Sequence, residues 1–187
     1  TADNNTAVGK DALQANTTAD NNTAVGYASL GENTTGVNNT AVGRSALNEN
    51  TTGGYNISVG YLTLDANTTG GSNTALGYNS LGANTTADNN TAIGTHSLKV
   101  NTTGTKNTAV GGNALNSTTT GSYNTAIGWA ATSSSATSSN QFTLGDTGVY
   151  NLRCNDTSIS SLSDSRDKTD VIDSPYGLDF INTVRPV

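Results

Sequence analysis

Aromatic residues recur at one place in this sequence, directly after a glycine. Four positions share this placement: Tyr27, Tyr61, Tyr78 and Trp129. An aromatic ring on a polar surface can stack on a sugar ring, which would suit receptor binding. The favoured alternative is that these rings simply pack over the edge of a fold. The same place is taken in other units by Lys10, Arg44, Thr95 and Gly112.

A serine and a lysine stand five residues apart near the carboxyl end. Ser163 could act as a nucleophile and Lys168 as its base, provided that burial keeps the lysine amine neutral. On spacing alone, a solvated linker rich in serine and aspartate is the favoured interpretation. A catalytic role for Ser163 and Lys168 therefore depends on the motifs that flank them.

Other kinds of chemistry find little support in the sequence. His96 has no acidic or thiol partner at ligand spacing, so we predict no metal site, and no phosphate loop or other cofactor motif occurs. Cys154 is the single cysteine, which excludes an intrachain disulfide framework. A net charge of -6 without a basic stripe argues against nucleic acid as a partner. Because no apolar run approaches about 20 residues, we expect no membrane insertion.

A strict repeat underlies these scattered residues. Glycines recur every 17 residues without a slip: Gly9, Gly26, Gly43, Gly60, Gly77, Gly94, Gly111, Gly128 and Gly145. A composition of 33% hydrophobic and 5% aromatic residues would otherwise favour disorder. The fixed period instead indicates a repeat architecture.

Each repeat unit reads N-T-A-V-G-x-x-A-L-x-x-N-T-T-x-x-x. The pattern predicts two short strands per unit, one over Thr-Ala-Val and one over Ala-Leu, joined by an Asn-Thr-Thr turn. Strand side chains alternate, so Thr6 and Val8 share one face, which we assign to the interior. Ala7 and Gly9 share the other face, where small residues would let a neighbouring backbone approach.

Stacked units of this kind predict an all-β fold, a parallel β-solenoid of about eight coils spaced about 4.8 Å apart. Identical residues would then lie above one another, and the asparagine columns could form amide ladders. Such a thin coil has little apolar surface to bury. We therefore expect identical chains to associate side by side with cyclic symmetry. A monomer capped by another domain is the alternative.

The repeat weakens after Gly128 and defines three segments. We assign the solenoid to residues 1–145, a connector to 146–162 and a third segment to 163–187. The last coil contains Phe142 where threonine stood, which suggests a cap with a bulky plug.

Beyond the repeat, two further elements are predicted. Residues Gly148–Cys154 alternate as a strand does, and Ser174-Pro175 could open a helix over Tyr176–Val184. The chain starts without methionine or signal peptide, so we expect a fragment or a processed piece.

The repeat over Asn4 to about Gly145 resembles the heads of YadA-type trimeric adhesins, whose units read close to Asn-Ser-Val-Ala-Ile-Gly. It is more similar still to the Asn-Thr-Ala-Val-Gly repeats of phage tail-fibre proteins. This resemblance implies a trimeric, left-handed parallel β-roll.

The C-terminal segment shows a second resemblance. "LSDSRDKTDV" (Leu162–Val171) and "GLDFINTVRPV" (Gly177–Val187) are similar to the start of the endosialidase-type intramolecular chaperone domain. Members of that family assist trimer assembly and then cut themselves off before a Ser-Asp pair. The resemblance implies a cut between Leu162 and Ser163, with Lys168 as the base and Asp164 as an accessory residue.

The sequence therefore predicts a structural, receptor-contacting segment of a trimeric phage tail fibre, located on the virion or another extracellular surface. The expected partners are two further copies of the chain, a host receptor such as a polysaccharide, and other tail proteins. No activity on external substrates is expected. The main alternative is the head of a trimeric bacterial adhesin.

Two further hypotheses concern the threonine-rich turns. An ice-binding solenoid is a weaker alternative, because the Thr-Thr column lies at a polar corner and does not form two rows across a strand. Sequons also recur at these turns, where glycosylation would need a secretory pathway. Turn and ladder chemistry explains them better. The residues are Asn16, Asn33, Asn50, Asn67, Asn84 and Asn101.

Overall fold

The structure, a computed structural model, describes residues 2–149. This part of the chain has no helix and contains nine three-residue strands. In chain order β1 to β9 they are Thr6–Val8, Thr23–Val25, Thr40–Val42, Ile57–Val59, Thr74–Leu76, Thr91–Ile93, Thr108–Val110, Thr125–Ile127 and Phe142–Leu144. The predicted all-β class, the parallel solenoid and the 17-residue coil are confirmed.

All nine strands form one parallel sheet in which each strand pairs with the next along the chain. The register repeats the sequence period: Ala24 lies beside Ala41, and Val25 beside Val42. Hydrogen bonds between successive coils continue beyond the strand ends, as in the 2.8 Å bond from the Gly26 amide to the Val8 carbonyl. The repeat period thus sets the strand register directly.

The predicted orientation of the strand faces is wrong. The central strand residue, Ala24 or Ala41 for example, is completely buried inside the coil, whereas its threonine and valine neighbours face outward and stay partly exposed. In β4 the central residue is Ser58, and its hydroxyl lies 2.6 Å from the Thr63 hydroxyl, so even this polar exception is satisfied internally. The alanine face is therefore used within the chain, not between chains.

The glycine that ends each strand is required by the coil itself. Gly60 has φ of +136°, a region that favours glycine, and a Cβ built there would lie 2.6 Å from the carbonyl oxygen of Gly77 in the next coil. The close approach predicted for this column therefore occurs between coils of one chain. A side chain at this position would push the stack apart.

The predicted second strand is also absent from residues 2–149, because the Ala-Leu segment forms a turn. Leu64 adopts φ of +48°, which is uncommon for a side chain of this size. This conformation accompanies complete burial of the leucine, which packs in the same cluster as the strand alanines. The buried leucines are Leu30, Leu47, Leu64, Leu81, Leu98 and Leu115. Backbone pairing with the next coil persists, as in the 3.0 Å bond from the Leu30 amide to the Ala46 carbonyl.

Two columns of buried asparagines complete the interior. At the corner, the Asn67 amide group donates to Asn50 Oδ1 at 2.8 Å and to the Gly70 carbonyl at 2.9 Å. Before each strand, the side-chain oxygen of one asparagine accepts the backbone amide of the next, as Asn56 does for Asn73 at 3.0 Å. The expected amide ladders are confirmed, since each coil satisfies the polar groups of its neighbour.

The last coil is not plugged as expected. Phe142 begins β9 but is 67% exposed, because it occupies the outward threonine row. The predicted helix, the cleavage site, Cys154 and nearly all of the predicted connector strand lie outside the described residues.

Candidate functional site

The outward side of the nine strands, here called the strand face, carries two parallel rows. One row is mainly threonine, and the other is aliphatic throughout, with Leu76 45% and Ile93 37% exposed. Adjacent strands lie about 4.8 Å apart, and alternate residues in a strand about 6.6 Å apart. The result is a regular ribbon of exposed methyl groups next to a ribbon of hydroxyl groups.

Beside the strand face runs a stack of side chains from six successive coils, here called the aromatic column. Its members are Lys10, Tyr27, Arg44, Tyr61, Tyr78 and His96. The rings of Tyr61 and Tyr78 stack at 5.5 Å, and His96 lies 4.9 Å from Tyr78. The Arg44 guanidinium lies over both neighbouring rings, 5.9 Å from Tyr27 and 5.3 Å from Tyr61.

These contacts favour a packing role for the tyrosines of the aromatic column over sugar stacking. The rings of Tyr27, Tyr61 and Tyr78 each lie against neighbouring rings or cations, and each of these tyrosines remains more than 40% exposed. A sugar would have to displace such a neighbour in order to stack. The column is better suited to holding the coil edge together, as the favoured interpretation of the sequence had it.

Trp129 is separated from the aromatic column. A Cβ built on Gly112, one coil earlier, would lie 2.7 Å from the indole ring, so the ring folds back over the space that this glycine leaves. Its side chain is nevertheless 67% exposed. Gly112 interrupts the aromatic positions in the sequence, but its lack of a side chain makes room for the Trp129 ring.

A second tyrosine column escaped the sequence analysis. Tyr55 and Tyr123 stand five residues before the glycine of their units, where asparagine is commonest, and both are more than half exposed. Lys106 covers Tyr123, with its ammonium group 4.8 Å from the ring centre and 3.0 Å from the hydroxyl. Comparing units position by position for departures from asparagine would have found both.

The two threonines of each Thr-Thr corner have different environments. The first threonine donates to the carbonyl of its counterpart in the next coil, as Thr51 does to Thr68 at 3.0 Å. The second threonine, such as Thr52 or Thr69, is exposed. The preceding asparagine is fully buried in five of the six sequons discussed above, so an attached glycan would not fit the folded coil.

Asp65 is a partly buried carboxyl group in the described part of the chain. Partial burial raises the pKa of Asp65, and the neighbouring Glu49 raises it further, while hydrogen bonds from nearby backbone amides oppose the shift. Asp65 lies beside a corner without a histidine or cysteine near it. Among residues 2–149, no three histidine, cysteine, aspartate or glutamate side chains gather in the way that a metal ion requires.

The residues proposed for self-cleavage, Ser163, Asp164 and Lys168, lie outside the described part of the chain. Within that part, no helix is long and apolar enough to cross a membrane. Comparison with known proteins found no matching family model, curated protein or solved structure.

Proposed function

We propose that this chain is a segment of a trimeric fibre of the phage tail-fibre type, which projects from a particle and contributes to host attachment. The observation that carries the proposal is the strand face. It presents a continuous aliphatic row to solvent along nine strands, while the interior of the coil is already complete.

An exposed aliphatic row of this length favours association. Several of its side chains are about 40% exposed or more, and burying such groups between chains is favourable. Because identical chains present identical rows, closed cyclic packing would bury the row on every chain. The sequence suggested that chains would meet through the alanine and glycine face. Because that face is buried within the coil, we propose instead that chains meet through the strand face.

The oligomeric state tests this proposal. We expect the wild-type protein to have the mass of three chains in analytical ultracentrifugation. The double substitution Leu76→Glu and Ile93→Glu should yield monomers, because each glutamate would bury a charge in the interface. Lys99→Glu, an exposed change away from the strand face, serves as the control and should leave the trimer intact. A wild-type monomer at high concentration would refute the proposal.

The C-terminal motif supports a role in assembly for the full-length protein. We propose that Ser163 Oγ, after losing its proton to Lys168, attacks the carbonyl carbon of Leu162. The Leu162–Ser163 C–N bond then breaks as the Ser163 nitrogen takes up a proton, and water hydrolyses the resulting ester, which releases the downstream assembly domain. Ser163→Ala and Lys168→Ala in the complete protein should each abolish cleavage on a denaturing gel. Normal cleavage of both variants would exclude this assignment. Cleavage would also favour the phage fibre over the bacterial adhesin head.

Ice binding is a second candidate, favoured by one specific observation. The strand face holds two rows across each strand, one of hydroxyl and one of methyl groups, which is the arrangement that the corner threonines lack. Regularly spaced groups of these two kinds can order water into a lattice-like layer. Because a trimer would cover this face, the two functions compete for it. Thermal hysteresis from a monomeric protein would support ice binding and contradict the fibre.

A further inference from the structure

We propose that a shallow polar groove beside Tyr55, here called the glycine notch, binds a pyranose ring of a neutral saccharide. This inference extends the host attachment proposed above by naming a site and a ligand class. The groove has a volume of about 370 Å³ and lies away from the aromatic column. Its walls include Thr52, Thr69 and Tyr55, and two glycines lie at its base: Gly54 and Gly71.

The notch exists because two successive coils lack a side chain where the neighbouring coils have one. Six residues before the strand-end glycine, the coils on either side carry Val37 and Asp88. Between them stand Gly54 and Gly71, neither of which has a positive φ. No backbone conformation therefore demands glycine here, and its effect is to open a gap two coils high, roughly 10 Å along the stack.

The missing side chains also leave backbone donors without partners. In four other coils the side chain at this position accepts the amide of the preceding coil, as Asp88 accepts from Gly71 at 2.6 Å and Ser122 accepts from Thr105 at 3.0 Å. Gly54 and Gly71 offer no such acceptor. Within residues 2–149, the amides of Val37 and Gly54 consequently form no hydrogen bond in the groove region. Sugar hydroxyl and ring oxygens are suitable acceptors for them.

Tyr55 supplies the stacking surface. Among the five tyrosines of the described chain, four have a ring or a cation placed over the ring, and Tyr55 has none. Its side chain is 65% exposed beside the groove. The residue adopts φ of +63°, a conformation that asparagine tolerates better and that asparagine fills in most other coils. Tyr123 in the same column has a similar φ of +59°, so the uncovered ring of Tyr55, and not its backbone conformation, distinguishes it.

The remaining groups select the class of saccharide. Exposed hydroxyls of Thr35, Thr52 and Thr69 line one side and can donate to or accept from sugar hydroxyls. The Asp88 carboxylate accepts hydrogen bonds and repels anions, and the chain as a whole has a net charge of -6. A neutral pyranose fits these groups, and a sulfated or acidic sugar does not.

Two substitutions test the notch. Tyr55→Asn introduces the residue that most other coils have at this position, and Gly71→Ser should fill the gap and accept the Gly54 amide as Ser122 accepts that of Thr105. We expect each to weaken binding by about tenfold or more. Tyr55→Asn should be at least as stable as the wild type in thermal unfolding. Gly71→Ser places a Cβ 3.0 Å from the Gly54 carbonyl oxygen but gains the bond from the Gly54 amide, so it should still unfold cooperatively near the wild-type temperature. Both results separate lost binding from lost folding. Tyr123→Asn, in the same column but four coils away, is the matched control and should bind normally.

Binding is measured by titration calorimetry of the wild-type protein with maltotetraose, cellotetraose and mannotetraose, and with a heparin tetrasaccharide as the anionic comparison. We expect saturable binding of at least one neutral sugar and none of heparin. No binding of any neutral sugar at millimolar concentration, or equal binding by all variants, would overturn the proposal. Preference for heparin would contradict the ligand class. A trimer that binds no sugar leaves the fibre proposal standing, whereas a monomer that binds sugar removes the fibre and keeps the notch.

Discussion

The interior of the coil and its outer surface differ in how much their residues vary from one coil to the next. Inside, the alanine, leucine and asparagine columns hardly vary from coil to coil, and almost every buried polar side-chain atom of the described residues has a partner; the exception is the oxygen of the Asn101 amide. Outside, the same repeat position holds lysine, tyrosine, arginine or glycine in different coils. Positions that stay the same in every coil are therefore those that stacking requires. Positions that vary are those where a single coil can acquire a function.

The strand-end glycines should give the largest effect. Gly60→Ala places a Cβ 2.6 Å from the Gly77 carbonyl oxygen at φ of +136°, so we expect a loss of about 3 kcal/mol or more in unfolding free energy. Chemical denaturation measures it. Gly31→Ala is the control, because its φ is not positive and its nearest contact is the flexible Asn48 side chain. Equal losses would show that the glycine column is not special.

One substitution, leucine to alanine, compares the two regions directly. Leu64→Ala leaves a cavity in the buried cluster and should cost about 2–5 kcal/mol at any protein concentration. Leu76→Ala on the strand face should cost less, and its cost should depend on protein concentration if the face lies between chains. Thermal unfolding at two concentrations measures both. Concentration-independent behaviour of a trimeric Leu76→Ala would contradict the interface.

The asparagine ladder should rank next. Asn67→Ala removes a side chain that donates to Asn50 and Gly70 and accepts from Asn84, so buried groups in two adjacent coils lose partners. We expect a loss of about 2 kcal/mol by chemical denaturation. Asn116→Ala, at an exposed position, should change stability little. A neutral Asn67→Ala would show that the ladder contributes register but no net stability.

Asp65 should give the smallest effect, and one that depends on pH. Because burial raises its pKa, the folded chain holds the proton more tightly than the unfolded chain does. The contribution of Asp65 to stability is therefore full below its ordinary pKa of 3.8 and is lost as the pH rises through the raised value. Asp65→Asn should stabilise the protein at pH 7 by less than about 1 kcal/mol, with no gain at pH 3.

Thermal unfolding at the two pH values, with Glu32→Gln as an exposed control, measures this difference. Equal effects of Asp65→Asn at both pH values would show that partial burial does not disfavour the charge. Together, the four experiments compare interior and surface substitutions by the change that each causes in the free energy of unfolding.

Much of the fold could be predicted because the repeat is stacked on itself. Any residue 17 positions away must lie in the next coil, so the parallel register and the asparagine ladders follow from the period. The second strand could not be predicted, since Ala-Leu is an ordinary strand pair until leucine adopts a left-handed conformation. Tyr55 and the glycine notch were missed because they are departures from the repeat.

The amino-acid sequence by itself determined the period, the register and the columns, because identical side chains recur at one interval. Only the tertiary structure decided which side of each strand is inside. Alternation divides a strand into two faces without saying which is buried. Here the leucines of the Ala-Leu turns already fill the narrow interior. Only alanine or serine then fits opposite them, so threonine and valine face outward.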